Sequence, residues 1–159
     1  MLEVQKMWAH YMSKTIYIIG SLRNPEVPVL ANTIQEQTNH EAFCSWFSPG
    51  PNADDYWREY CELRGWSFKQ ALKEYAATHV YEFDKHHIDR ADVGVLVMPA
   101  GKSGHLELGY MIGQGKPCFY LLEKDSERWD VMIQFCYLNG GNVCETIEEL
   151  IYELNNFNI

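Results

Sequence analysis

Glu107 is the residue whose position in the sequence best suits it to chemistry. It lies in the segment 99–110, where Gly101 and Gly104 follow an apolar run and precede residues that favour a helix. A glycine-rich turn between a strand and a helix lets the backbone approach a ligand closely and directs its N–H groups toward an anion or a sugar hydroxyl. A glutamate about one turn into that helix would reach the ligand, although the helix dipole alone also favours glutamate in a first turn. The segment contains neither GxGxxG nor GxxxxGKS, which argues against a dinucleotide fingerprint and a P-loop.

The rest of the sequence predicts the elements that would position this segment. Buried-strand patterns alternate with helical patterns, which is typical of βαβ units and of a parallel sheet with helices on both faces. The predicted strands cover residues 15–20, 40–47, 93–98, 117–122 and 142–144, and the predicted helices cover residues 25–37, 67–90, 106–114, 128–137 and 147–157. We therefore expect an α/β fold, a doubly wound Rossmann-like or flavodoxin-like sheet of about five strands. Because ligands bind beyond the carboxyl ends of such strands, the loops after Gly20, Met98 and Leu122 are the places to inspect.

A single domain accounts for most of the 159 residues. We expect residues 1–14 to be an N-terminal extension and residues 15–159 to be the domain, with an aromatic-rich insertion at residues 48–66. The large rings of the insertion are Tyr56, Trp57, Tyr60 and Trp66. These rings would either stack on a nucleobase or pack on the long helix that follows.

Charge and composition exclude several classes of function. The net charge of −9 opposes the phosphate neutralisation that drives binding to DNA or RNA polymers, although a single nucleotide can still be held locally. No apolar run approaches the length of a membrane span and no signal-peptide pattern is present, so we expect a cytoplasmic protein without membrane contact. The five cysteines are an odd number without a CxxC pair, which predicts buried free thiols.

Three histidines on the predicted long helix, His79, His86 and His87, do not form a metal-binding pattern. The sequence contains no HExxH and no Cys/His spacing typical of zinc. His79 and His87 fall on the helix face that we expect to pack against the core. The residues of this predicted face are Ala71, Leu72, Tyr75, Ala76, His79, Phe83 and His87. We expect neither a metal nor a cofactor.

Three runs of the sequence together resemble the nucleoside 2-deoxyribosyltransferase family, which includes related nucleotide N-glycosidases. The runs are Lys-Thr-Ile-Tyr at 14–17, Asp-Lys-His-His-Ile-Asp-Arg-Ala-Asp at 84–92 and Ser-Gly-His-Leu-Glu-Leu-Gly-Tyr at 103–110. They occur in the expected order, and the resemblance covers roughly residues 15–150. The last run, followed by Gly-Gln-Gly-Lys-Pro at 113–117, is its most specific part.

The resemblance implies a retaining displacement at the anomeric carbon of a nucleoside. Glu107 matches the family nucleophile, and a carboxylate would stabilise an oxocarbenium-like transition state and form a covalent intermediate. We expect the helix start to keep Glu107 ionised. Asp84 matches the aspartate that assists the leaving base, with a pKa raised by proximity to Glu107, and the alternative for it is an exposed helix carboxylate. Tyr17 matches a tyrosine that holds the nucleophile in position, although it could equally be a core aromatic. We expect Asp92 to orient the start of its strand and to lie outside the site.

The resemblance also suggests residues that bind the substrate. Gly20 and Ser21 would line the pocket for the base or the sugar. The candidates in the nucleophile loop are Gly101, Lys102, Ser103 and Gly104. This loop is slightly shorter than in the family, and we assign the contact with the sugar hydroxyls or a 5′-phosphate to Ser103. Lys102 would either favour a 5′-phosphate or be a solvated surface lysine.

The family completes each site with residues from a neighbouring subunit. The corresponding candidates here are Asp130 and Met132, so we expect a homodimer or a higher homo-oligomer. The predicted function is cleavage or transfer at the N-glycosidic bond of a (deoxy)nucleoside or a nucleoside 5′-monophosphate, which would be the small-molecule partner. The alternative is a non-catalytic module of similar fold that senses a nucleotide or an NAD derivative, which would need neither Asp84 nor Tyr17.

Overall fold

Five short apolar runs of the sequence form the strands of one parallel sheet. The computed structural model describes residues 1, 3–4, 13–44, 50–122 and 129–157. The strands are β1 (Thr15–Ile19), β2 (Glu41–Cys44), β3 (Val93–Val97), β4 (Cys118–Leu121) and β5 (Asn142–Cys144). The helices are α1 (Glu26–Gln37), α2 (Ala53–Glu62), α3 (Phe68–Ala71), α4 (Tyr75–Arg90), α5 (Lys102–Gly113) and α6 (Ile147–Asn156), together with a 3-10 helix (Val131–Gly140).

The strand order is β2-β1-β3-β4-β5, and every pairing is parallel. Tyr17 of β1 is in register with Phe43 of β2 on one side and with Gly94 of β3 on the other. Every residue of β3 is buried, as expected for a central strand covered on both faces. The prediction of a doubly wound α/β sheet of about five strands is confirmed.

Two apolar layers cover the two faces of the sheet. One layer joins β-strand residues such as Ile16 and Ile18 to Leu30 of α1 and Leu150 of α6. The other layer joins the side chains that alternate with these, Tyr17 and Ile19 among them, to residues of α4, α5 and the 3-10 helix. Tyr17 therefore points toward the face that α4 and α5 cover.

The long helix predicted at residues 67–90 is two helices, α3 and α4. Ser67 caps α3 in a capping box with Gln70, and the chain leaves helical geometry at Glu74, where φ is −79° and ψ is 158°. The prediction of which helix face meets the core is largely wrong. Ile88 is the buried residue of α4, and the predicted core-facing residues from Leu72 to Phe83 are exposed. A 16-residue helix is about 24 Å long and a five-residue strand about 16 Å, so the first half of α4 extends beyond the sheet.

Other predicted elements differ at their ends or in their type. Helix α5 begins at Lys102 instead of residue 106, because Gly101 serves as its N-cap. The α-helix predicted at 128–137 is a 3-10 helix at Val131–Gly140, in which Leu138 and Asn139 depart from helical geometry. Asn139 has a positive φ of 58°. The second strand, predicted at 40–47, covers Glu41–Cys44, and residues 45–47 lie outside the described residues.

The sequence also led to predictions about the N-terminal residues, the insertion and the cysteines. Most of the predicted extension at residues 1–14 lies outside the described residues, and the part of the insertion that is described forms α2. All five cysteines are buried and free, as predicted. No helix among the described residues is long and apolar enough to cross a membrane.

Candidate active site

A cleft opens at the carboxyl ends of β1 and β3, where the strand order reverses. From β1 the chain continues to β2 on one side of the sheet, whereas from β3 it continues to β4 on the other side. The cleft has a volume of about 370 Å³. Its lining comes from the loops that follow these two strands and comprises Ser21, Arg23, Asn24, Pro25, Pro99, Ala100 and Gly101. This is the position at which doubly wound sheets bind their ligands.

The loop after β1 is held close to α1. A side chain at position 20 would place its Cβ 2.4 Å from Cγ2 of Val27, so only glycine fits there. The Ser21 hydroxyl accepts a hydrogen bond of 3.2 Å from the Arg23 backbone N–H, and the Ser21 carbonyl accepts one of 2.9 Å from Asn24. These contacts order the loop that forms one wall of the cleft.

The start of α5 forms the opposite wall. Gly101 caps the helix without a side-chain hydrogen bond, and Lys102 and Ser103 at its first positions are exposed. The N–H groups of the first turn are therefore available to an anion. Gly104 is buried, and a Cβ there would lie 3.0 Å from Leu96 of β3, so this glycine seats α5 on the sheet.

Glu107 lies in the second turn of α5 and faces Asp84 of α4. Both carboxyl groups are partly buried, and burial raises the pKa of each. Burial together with the nearby charge of Asp84 raises the pKa of Glu107 to about 7. The two carboxyl groups therefore form an interacting pair that can retain a proton near neutral pH.

The expectation that the helix start keeps Glu107 ionised is wrong. The favourable effect of the helix dipole on an anion is worth less than about 1 kcal/mol at most helix ends. Burial and the charge of Asp84 outweigh it, and they move the pKa of Glu107 upward. The pKa of Asp84 is raised, in the direction expected, but the cause is burial and not the expected proximity to Glu107.

Tyr17 lies in the middle of β1, and Asp92 lies just before β3. The Tyr17 ring is buried and stacks on Phe43 with centroids 5.8 Å apart, in the apolar layer that also contains Leu108, the neighbour of Glu107. Its role in holding Glu107 stays a prediction. Asp92 accepts a 2.8 Å hydrogen bond from the Thr15 backbone N–H at the amino end of β1, so its predicted structural role is confirmed.

Asp130 and Met132 lie beyond β4, at the start of the 3-10 helix. The Asp130 carboxylate accepts a 2.9 Å hydrogen bond from the Met132 backbone N–H and so caps the helix. Both side chains are exposed. The structure does not bring them to Glu107 within the chain, and their contribution to a neighbouring subunit stays a prediction.

Two residues near the cleft escaped the sequence analysis. Arg23 is the cationic side chain in the cleft lining, and its guanidinium donates to Asp55 of α2 at 2.7 Å. A cation two residues after Ser21 in a ligand-binding loop is a signal that could have been read. His105 donates a hydrogen bond of 2.8 Å from Nδ1 to the Gly101 carbonyl. The sequence gives no sign of this hydrogen bond, because the bond depends on the geometry of the helix start.

The aromatic rings of the insertion pack on one another and on α3, which is the first part of the predicted long helix. Trp57 meets Phe68 edge-on at 6.2 Å, and Tyr60 meets Trp66 edge-on at 6.1 Å. The ion pair between Arg23 and Asp55 ties this segment to the rim of the cleft. Among the described residues, no group of three or more His, Cys, Asp or Glu side chains could hold a metal ion.

Fold and cleft together define the chain as a doubly wound α/β protein with a cleft at the switch in strand order. A solved structure of similar fold is the CMP N-glycosidase BcmB of Clostridium botulinum, with a TM-score of 0.53 at 12% sequence identity. The match covers 89% of this chain and 98% of that chain. An identity this low shows similarity of fold alone. No protein-family model and no curated protein matches the sequence.

Proposed function

We propose that this protein cleaves or transfers at the N-glycosidic bond of a nucleoside or a nucleoside 5′-monophosphate, with Glu107 as the nucleophile. The observation that carries the proposal is the pair of partly buried carboxyl groups, Glu107 and Asp84. Glu107 lies on α5, whose N-cap Gly101 lines the switch-point cleft, and Asp84 lies on the adjacent helix α4, although neither carboxyl group is in the cleft lining. The similarity of fold to a CMP N-glycosidase supports the same class of reaction. A module that only binds nucleotides gains nothing from a carboxyl pair whose charges oppose each other.

The reaction proceeds in two displacements. A carboxylate oxygen of Glu107 attacks C1′ of the sugar, and the C1′–N bond breaks with its electron pair passing to the base. Asp84, or a water molecule that it orients, supplies the proton to the departing base. Water or a second base then attacks C1′ and gives its proton to Asp84, while the bond from C1′ to the Glu107 oxygen breaks and restores the carboxylate, which completes hydrolysis or transfer with net retention.

The proton of the carboxyl pair is central to this scheme. The reactive form carries an ionised Glu107 and a protonated Asp84, whereas burial and repulsion favour a proton on Glu107 near neutral pH. As the C1′–N bond breaks, the positive charge that develops on the sugar stabilises the ionised form of Glu107 in the transition state. The proton would then reside on Asp84, where the leaving base needs it.

Three features of the cleft favour a substrate with a 5′-phosphate. Arg23 lines the cleft, α5 offers an N-terminus without a side-chain cap, and Lys102 is exposed at its first position. A guanidinium and a row of helix N–H groups are common partners of a phosphate. Ser103, Gly20 and Ser21 remain the proposed contacts to the sugar and the base.

A substrate panel tests this function. Purified protein is incubated with nucleosides and 5′-monophosphates, CMP among them, with and without a second free base, and the products are separated by chromatography. We expect base release or base exchange with at least one substrate and its loss by at least about a thousandfold in Glu107→Gln. The control is Glu82→Gln, which removes an exposed carboxylate from α4. Equal activity of Glu107→Gln and wild type would refute the assignment.

A further inference from the structure

A second cavity, of about 490 Å³, lies in the insertion between α2 and α3. It shares no lining residue with the switch-point cleft. Its walls combine three carboxylates with three aromatic rings, which are contributed by Asp54, Asp55, Glu62, Trp57, Trp66 and Phe68. Nothing in the proposed reaction uses this cavity.

The carboxylates give the cavity an excess of negative charge. Arg58 is the cation in the lining, and its guanidinium already donates to Glu62 at 2.8 Å. Asp55 accepts from Arg23, which belongs to the cleft lining. None of the ion pairs of the described residues involves Asp54. The cavity therefore contains one carboxylate without an ion pair among the described residues, that of Asp54, and a second, that of Asp55, whose cationic partner Arg23 is not in the cavity lining.

The aromatic rings are arranged so that their surfaces remain accessible. Phe68 is 70% exposed and meets Trp57 edge-on, while Trp57 and Trp66 are half-buried. The guanidinium of Arg64 lies over the Trp66 ring, 5.7 Å from its centroid, as a cation does over an aromatic face.

Aromatic faces combined with carboxylates are the surroundings in which proteins bind organic ammonium ions. We propose that the cavity between α2 and α3 binds a small organic cation, and that this cation competes with Arg23 for Asp55. The pair between Arg23 and Asp55 is 59% and 67% exposed, so water screens it and its loss costs little. Binding of the cation releases Arg23 toward the cleft, which couples the two cavities.

Ligand titrations test the site without reference to any enzymatic activity. Choline is the probe, and 3,3-dimethyl-1-butanol is its neutral counterpart of the same shape. Tryptophan fluorescence and NMR chemical shifts should show saturable binding of choline in roughly the millimolar range. The neutral alcohol should bind at least about tenfold more weakly. Equal binding of the two compounds, or no saturable binding of choline, overturns the proposal.

Charge variants locate the binding in the cavity. Asp54→Asn should weaken choline binding by about three- to tenfold, whereas Glu59→Gln, on the same helix but outside the lining, should leave it unchanged. Arg23→Gln should tighten binding by about two- to fivefold, because it removes the competitor for Asp55. Lys69→Gln removes a cation of α3 that is not in the lining and serves as the matched control.

The pattern across these variants decides the proposal. Circular dichroism confirms that each variant is folded. If Glu59→Gln weakens binding as much as Asp54→Asn, or if Lys69→Gln tightens it as much as Arg23→Gln, the effect is general attraction to an acidic surface and the proposal fails. Because choline binding is read directly, failure here leaves the proposed glycosidic reaction untouched, and a failure of that reaction leaves this site untouched.

Discussion

The Glu107 carboxylate lies where its negative charge is disfavoured, and that property distinguishes it from the exposed acids of this acidic chain. Burial and the nearby Asp84 raise its pKa to about 7. Groups with strongly shifted pKa values beside a ligand cleft are more common at catalytic sites than elsewhere. A site of this kind reduces stability in exchange for reactivity, and the reduction can be measured.

Replacement of Glu107 by glutamine should stabilise the protein at alkaline pH. Above a pH of about 7 the folded protein holds an ionised, partly buried carboxylate, and glutamine removes that charge at nearly the same volume. We expect a gain of about 1 to 3 kcal/mol in the free energy of unfolding at pH 8.5. Urea unfolding followed by circular dichroism measures it, and Glu82→Gln, at an exposed position, should show no gain.

The pH dependence of this gain has a definite sign. Glu107 has a higher pKa in the folded protein than in the unfolded chain, so the folded state binds the proton more tightly. The stability of the wild type therefore falls as pH rises from the ordinary glutamate range to about 7. The advantage of Glu107→Gln should vanish below pH 4 and be complete above pH 8. An advantage that does not change with pH would contradict the shifted pKa.

Sequence reasoning found Glu107 and Asp84 and expected them to interact, but it expected the interaction to raise the pKa of Asp84 and Glu107 to stay ionised. The two residues are carried by different helices, and their approach depends on how α4 and α5 pack on the sheet. A helix start in isolation favours an ionised glutamate, so local reasoning gave the wrong direction for its pKa. Burial is a property of the assembled fold and has no local signature.

At the scale of elements, the sheet was predictable and the helices less so. Buried β-branched runs such as Val93–Val97 have few alternatives, and the strands formed where the sequence indicates. The prediction of core-facing residues on α4 was wrong because the helical spacing of apolar residues does not reveal how far a helix extends beyond its sheet. The 3-10 geometry of Val131–Gly140 likewise depends on tertiary contacts that the local pattern does not contain.

The loop after β1 should determine the response to a 5′-phosphate. Arg23→Gln removes the cation of the cleft lining while leaving the carboxyl pair on α4 and α5 intact. We expect its KM for a 5′-monophosphate to rise by about ten- to a hundredfold with kcat little changed, because a charged hydrogen bond to the phosphate is lost. The KM for the corresponding nucleoside should stay the same. Steady-state kinetics measure both, and an equal rise for both substrates would exclude a phosphate contact.

At the scale of the whole molecule, the 3-10 helix packs on α5, and the exposed apolar side chains of α5 and residues 129–135 form a candidate surface for association. It includes Leu106, which is 75% exposed, Trp129, which is 94% exposed, and Val131, Met132 and Phe135. Monomeric proteins rarely expose contiguous apolar patches larger than a few hundred Å². We propose that two copies of the chain associate through this surface, which would bring Asp130 and Met132 to a neighbouring site.

Light scattering coupled to size-exclusion chromatography measures the association. We expect twice the mass of the 18.5 kDa chain, or a higher multiple, at micromolar concentration. Phe135→Glu should shift the protein toward monomer, because it places a charge in the proposed interface. Phe68→Glu changes an exposed ring of α3 instead and should leave the mass unchanged. A wild-type protein that remains a monomer would remove Asp130 and Met132 from the site.

Trapping of a covalent glycosyl-enzyme tests the central claim most directly. A 2′-deoxy-2′-fluoro analogue of a substrate found in the panel slows the second displacement, because fluorine destabilises the oxocarbenium-like transition state. Intact mass spectrometry should show an increase equal to the fluorinated sugar, and peptide mapping should place it on Glu107. The adduct should be absent from Glu107→Gln and present in Glu82→Gln. Base release without an adduct, or an adduct on another residue, would contradict the assignment of Glu107 as the nucleophile.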